Sequence, residues 1–90
     1  MKHGISTKFG HKATKVFSSH NPIYWFEFPN GYTASVFRET LTKDDRYELA
    51  VIRGGRPVYD TPITGDVIRW ATPEEIRNLI SRVAKLQPAR

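Results

Sequence analysis

The sequence predicts an α+β fold: a small antiparallel β-meander of three to four strands with one C-terminal amphipathic α-helix packed on the sheet. Three observations predict it. Pro29-Asn30-Gly31 and Gly54-Gly55 each separate two runs of alternating apolar residues, the signature of hairpin turns. Thr72-Pro73-Glu74-Glu75 then opens a stretch in which Ile76, Leu79, Ile80, Val83 and Leu86 recur with helical period. A sheet with one apolar face and a helix with one apolar stripe each need the other as cover.

The elements follow in order. Residues 1–13 mix Gly, Ser, Thr, Lys and His without period and are expected to form a basic flexible arm, with 14–90 as a single domain. Thr14 to Ser18 alternates around Val16 and Phe17 and can make a short edge strand. Pro22 to Phe28 is rich in aromatic and β-branched residues and reads as a strand, with Pro22 at its first position, where no ladder donor is needed. Two hairpin registers compete. A two-residue Asn30-Gly31 loop puts Phe26 opposite Ser35. A three-residue loop with Gly31 left-handed pairs Phe28 with Tyr32, Phe26 with Ala34 and Tyr24 with Val36. The second is preferred, because side chains alternate and all six then form one apolar face. The opposite face carries Ile23, Trp25, Glu27, Thr33, Ser35 and Phe37, mixed and half exposed.

Glu39 to Asp45 reads as a polar loop and Arg46 to Arg53 as a strand. Gly54-Gly55 supplies the positive φ angles of a tight turn, after which Arg56 to Thr61 returns with Val58 opposite Val51 and Tyr59 opposite Ala50. Pro62 to Ala71 reads as a connection containing Gly65 and Val67-Ile68. Trp70, two residues before the helix cap, is expected to wedge the helix onto the sheet. Thr72 caps the helix, Pro73 suits its first position, and Glu75 completes a capping box. Arg77, Asn78, Ser81, Arg82 and Lys85 cover its outer side, and Pro88 ends the pattern.

Ninety residues suit one domain, and 39% hydrophobic with 26% charged residues is an ordinary globular composition. No apolar run reaches the roughly 18 residues of a membrane span, and the first 15 residues lack the apolar core of a secretory signal. Cys is absent, which excludes disulfides, thiolate metal sites and a Cys nucleophile. A cytoplasmic setting is the expectation. The formal charge is +5. Lys2, Lys8, Lys12 and Lys15 stand among residues 1–21 with no acid, whereas 22–71 carry six basic and seven acidic side chains. A basic terminus attracts nucleic acid, anionic lipid or an acidic protein.

The residues offer little catalysis. His3, His11 and His20 match no common zinc spacing. Asp44 and Asp45 share one loop, whereas an acid/base pair needs two different environments. Asp60 and Asp66 suit turn caps. Ser18, Ser19 and His20 form a triplet with nothing to place the buried carboxylate a triad needs. No Walker, GxGxxG, HExxH or GxSxG sequence is present. No catalytic residue, metal or cofactor is expected. Aromatics are the other signal. Trp25 and Phe37 share the half-polar strand face with Arg38 close in sequence, which makes these three the partner-binding candidates; Glu27 interrupts the basic character. Trp25 has a structural alternative as well, covered by the arm or by Val16-Phe17.

The stretches Phe28-Pro-Asn-Gly-Tyr-Thr-Ala-Ser-Val-Phe37, Tyr47-Glu-Leu-Ala-Val-Ile52 and Tyr59-Asp-Thr-Pro-Ile-Thr-Gly-Asp-Val-Ile68, followed by the capped helix, carry a resemblance. Over about residues 28–86 the chain resembles a group of short proteins encoded by bacteriophages and prophages, a group to which no molecular function is attached. The resemblance implies a phage origin and a host-cytoplasm setting, and no activity. That group often carries Asp where this chain has Gly65, and a more acidic helix. The leading expectation is therefore a non-catalytic accessory module that engages a host or phage protein, inhibition of a host function being one such role. The alternative is a nucleic-acid-binding module using Lys2, Lys8, Lys12 and Lys15 with the aromatic strand face. A third, weaker reading is a small enzyme built around Asp60 and Asp66. No membrane partner is expected, and nothing in the sequence indicates an oligomeric state.

Overall fold

A computed structural model of the chain describes residues 4–18, 20–63 and 68–88. Two turns organise it. At the first, Phe28 N–H donates to the Tyr32 carbonyl (3.0 Å), Gly31 N–H donates to the Phe28 carbonyl (3.1 Å), and Gly31 has a φ of 91°. This is the three-residue loop. It pairs β4 (Ile23–Glu27) with β5 (Tyr32–Arg38) so that Phe26 faces Ala34 and Tyr24 faces Val36. At the second, Gly54 and Gly55 have φ of 62° and 77°, a conformation only glycine adopts cheaply at both positions. It joins β6 (Tyr47–Arg53) to β7 (Arg56–Pro57), and Val58 N–H donates to the Val51 carbonyl (2.9 Å), which continues the expected register.

The fold is α+β with a mainly antiparallel sheet and one C-terminal helix, as expected, but the sheet is larger than three to four strands. β3 (Lys15–Phe17), β4, β5 and β6 lie side by side. The far edge of β6 is shared: β7 pairs its Ile52–Arg53 end and β8 (Ile68–Ala71) its Tyr47–Leu49 end. Ile68–Ala71 lies within the segment that the sequence reads as connection, because a four-residue strand with a bulge shows no alternation. β8 takes three steps, Ile68 to Ala71, where β6 takes two, Leu49 to Tyr47. Trp70 sits in that bulge with a φ of 61° and is 45% exposed, so it does not wedge the helix against the sheet. A tryptophan in the left-handed region costs roughly 1 kcal/mol or more. Two contacts hold it there: its N–H donates to Glu39 Oε2 (3.4 Å), and Arg46 Nη1 donates to its carbonyl (3.4 Å).

The N-terminal segment is the main correction. Residues 4–13 are part of the fold, not an arm: β1 (Ile5–Ser6) pairs β2 (Lys12–Ala13), and Phe9 in the turn between them is fully buried. Thr7 Oγ1 accepts from Phe9 N–H (3.2 Å) and donates to the His11 carbonyl (2.6 Å), and Gly10 has a φ of 73°. This tight local turn swings one aromatic inward. A single apolar residue has no period, so hydrophobic patterning does not show it.

Helix α1 (Pro73–Ala84) begins as expected. Thr72 Oγ1 accepts from Glu75 N–H (3.1 Å), and Glu75 Oε1 accepts from Thr72 N–H (2.8 Å). Ile76, Ile80 and Val83 are fully buried against Ala34, Val36, Leu49 and Val51 in the core, whereas Leu79 and Leu86 are only partly buried. Leu79→Ala is therefore expected to cost about 1–2 kcal/mol, less than a fully buried leucine, and Arg82→Ala below about 0.5 kcal/mol. Equal shifts in urea midpoint for the two variants would show that the helix is rotated from this packing.

Candidate functional site

The alternation that buries Phe26, Ala34, Val36, Leu49 and Val51 under the helix sends the intervening residues to the other face. Lys15, Phe17, Ile23, Trp25, Phe37 and Glu48 lie there, and among the described residues no helix covers them. At the β3 end, the Phe17 and Trp25 rings meet edge-to-face with centroids 5.0 Å apart. Phe17 remains 41% exposed and Trp25 is half-buried. Lys15 Nζ lies 5.9 Å from the Trp25 ring centre and 3.7 Å from Glu27 Oε2. The Val16-Phe17 segment thus covers one side of Trp25.

At the other end, Ile23 and Phe37 are cross-strand partners and form the wall of a cleft of about 480 Å³. Leu41, 82% exposed, stands at its rim, and Glu39, Glu48 and Arg69 line it. Arg69 Nε lies 3.5 Å from Glu39 Oε2 and 3.2 Å from Glu48 Oε1. The Glu39 side chain is only 5% exposed, so the guanidinium supplies the countercharge that a buried carboxylate needs. Sequence reasoning missed Glu39, Leu41, Glu48 and Arg69 as a group. They come from a loop and from two strands, one of them the unforeseen β8, and no local spacing links them.

Arg38 lines the cleft with Phe37 but not with Trp25. The same alternation puts it on the Tyr47 side, where its Nη2 donates to the Asp44 (3.0 Å) and Lys43 (3.3 Å) carbonyls. It fixes the 39–46 loop and, through it, the position of Leu41. The lysines do not form one surface either. Lys8 pairs with Asp45 (3.1 Å) and stands 5.5 Å from the Tyr47 ring centre, while Lys15 pairs with Glu27 on the opposite face. Lys12 is exposed on β2. Lys2 lies outside the described residues.

The remaining candidates have structural partners. His11 Nε2 donates to the Arg77 carbonyl (3.0 Å) and lies 3.2 Å from Ser81 Oγ, which ties the N-terminal ribbon to the helix. His20 N–H donates to Ser18 Oγ (3.3 Å) within a turn, and Asp60 pairs with Arg53 (3.7 Å). His3, Ser19, Gly65 and Asp66 lie outside the described residues. Among the described residues no three His, Asp or Glu side chains converge as metal ligands, and no helix is long and apolar enough to cross a membrane.

One electrostatic consequence is measurable. The Tyr47 hydroxyl, and then the Lys8 ammonium, hold the Asp45 carboxyl below its ordinary range. A lowered folded value means that the contribution to stability is complete above the unfolded value and is lost as pH falls through the folded one. Asp45→Asn is expected to flatten the acid limb of the stability profile, with less effect at high salt. Asp45 is half exposed, so the change stays below about 1 kcal/mol. An unchanged acid limb in urea denaturation across that range would remove the pair from the account.

Comparison with family models, with curated proteins and with solved structures finds no match.

Proposed function

We propose that this chain is a non-catalytic binding module, a phage-type accessory protein that engages a host or phage protein in the host cytoplasm through the helix-free face of its sheet. The observation that carries the reading is the row Phe17, Trp25, Ile23, Phe37 and Leu41: apolar side chains on one face, two of them more than 40% exposed, beside charges that already have partners. Such a face offers aromatic and aliphatic anchors with little charge to desolvate. Leu41 gains from preorganisation, because Arg38 holds its loop before any partner arrives.

The test is capture of partners on the immobilised full chain from bacterial and phage-infected lysates, with and without nuclease. Phe17→Ser and Leu41→Asp are the surface variants, and Lys12→Ala is the control. A captured protein that survives nuclease, is lost with the surface variants and is kept with Lys12→Ala is the expected result. Capture that vanishes with nuclease would replace this reading with the nucleic-acid one, and capture indifferent to Phe17 and Leu41 would move the site off this face.

A further inference from the structure

Asn30-Gly31 carries a chemistry that the turn itself does not use. An asparagine followed by glycine readily loses its side-chain amide. The next backbone nitrogen attacks the side-chain carbonyl, and glycine, without a Cβ, does not shield that nitrogen. The chain has three asparagines. Asn21 precedes Pro22, whose nitrogen bears no hydrogen, and Asn78 precedes the bulky Leu79 inside α1. Only Asn30 has the reactive neighbour.

In the folded chain both reacting groups are held. The nucleophile is the Gly31 nitrogen, whose N–H donates to the Phe28 carbonyl (3.1 Å). The leaving group is Asn30 Nδ2, which donates to the Val83 (2.9 Å), Leu86 (3.2 Å) and Ala84 (3.3 Å) carbonyls at the end of α1. Asn30 Oδ1 accepts from Tyr32 N–H (3.0 Å). The attack requires the amide to turn its carbon toward the Gly31 nitrogen, and that rotation breaks these bonds. Asn30 is half-buried and Gly31 is exposed, so water reaches the nucleophile once the side chain lets go of the helix.

We propose that Asn30 is a site of spontaneous deamidation, gated by the contact between the first hairpin turn and the end of α1. While the contact holds, the site is shut. When the turn leaves the helix end, the Gly31 nitrogen bonds to Asn30 Cγ, the Cγ–Nδ2 bond breaks, and the proton of the Gly31 nitrogen departs with the amide as ammonia. Water then opens the succinimide at either carbonyl and leaves an aspartate or an isoaspartate. Neither product restores the contact. An aspartate has no donor for the helix-end carbonyls and sets a charge against the negative end of the dipole, and an isoaspartate also lengthens the turn by a methylene. The gate is therefore one-way: a chain that stays folded keeps its amide, and each opening removes some molecules from the folded pool for good. The inference does not depend on the helix-free face.

The test is incubation of the full chain at mildly alkaline pH, folded in buffer and unfolded in urea, with deamidation read by mass and isoaspartate by peptide mapping. The unfolded chain is expected to convert at Asn30. The folded chain is expected to convert at least about a hundredfold more slowly, since opening must break the hydrogen bonds that hold the amide. Asn30→Ala is expected to abolish the conversion in urea. Leu86 is partly buried against the core, and Leu86→Ala loosens the end of the helix. This variant is expected to raise the folded-state rate about fivefold and to leave the urea rate unchanged. Deamidated chain returned from urea is expected to melt at least about 12 °C below the parent. Equal rates in buffer and urea, conversion that survives Asn30→Ala, a folded-state rate unmoved by Leu86→Ala, or a deamidated chain that melts with the parent would each overturn the inference.

Discussion

Phe9→Ala is expected to cost about 3–5 kcal/mol, the range for removing a fully buried phenylalanine, against a total stability of about 5–15 kcal/mol for a domain of this kind. Phe9 has no exposed surface. Its ring meets Tyr47 (4.9 Å), Tyr24 (5.9 Å) and Phe26 (6.4 Å) edge-to-face, so truncation opens a cavity lined by three aromatic rings. The collapse that softens such changes is hindered, because the lining belongs to two strands of one sheet, Tyr24 and Phe26 on β4 and Tyr47 on β6. Deleting residues 1–13 is expected to do more damage still, since Ala13 and the His11 link to the helix leave with Phe9. A dispensable arm would behave in the opposite way. Urea denaturation of the point variant decides: a midpoint matching the parent would mean the ribbon does not dock on the core.

Asn30→Asp is expected to cost about 3 kcal/mol and to lower the melting temperature by about 12–24 °C. Asn30 sits in the first hairpin turn, yet its Nδ2 donates to the Val83 (2.9 Å), Leu86 (3.2 Å) and Ala84 (3.3 Å) carbonyls at the end of α1. Its Oδ1 accepts from Tyr32 N–H (3.0 Å). The last carbonyls of a helix lack intrahelical donors and carry the negative end of its dipole. The carboxylate removes both amide donors and sets a negative charge against three carbonyl oxygens. Asn30→Ala loses the donors without adding the charge and is expected to cost about 1–2 kcal/mol. Thermal denaturation of the two variants separates the terms. An aspartate no worse than the alanine would show that the side chain does not cap the helix in solution. Read as a turn residue alone, Asn30 gives no reason for a large effect in either variant.

These two residues mark where sequence reading ends. The hairpin register, the Gly54-Gly55 turn and the capping box at Thr72–Glu75 were all legible, because each is decided within a few residues: by which residue tolerates positive φ, which side chain reaches a backbone N–H three residues on, and which register keeps apolar side chains on one face. From those, one continuous apolar face of the sheet and the placing of Trp25 and Phe37 on the other face follow, whereas which face the helix covers is decided by tertiary packing. The remaining features depend on partners far along the chain. Phe9 has no neighbours in sequence to announce its burial. Trp70 holds its left-handed conformation through Glu39, 31 residues away, and His11 finds the helix 66 residues on. Glu39, Glu48 and Arg69 become one cluster only when β8 lies along β6. Local rules choose the conformation of turns and caps because their alternatives differ in backbone energy alone. The edge strand, the docked ribbon and the cleft are chosen by burial and charge pairing, which act only after the sheet has brought distant residues together.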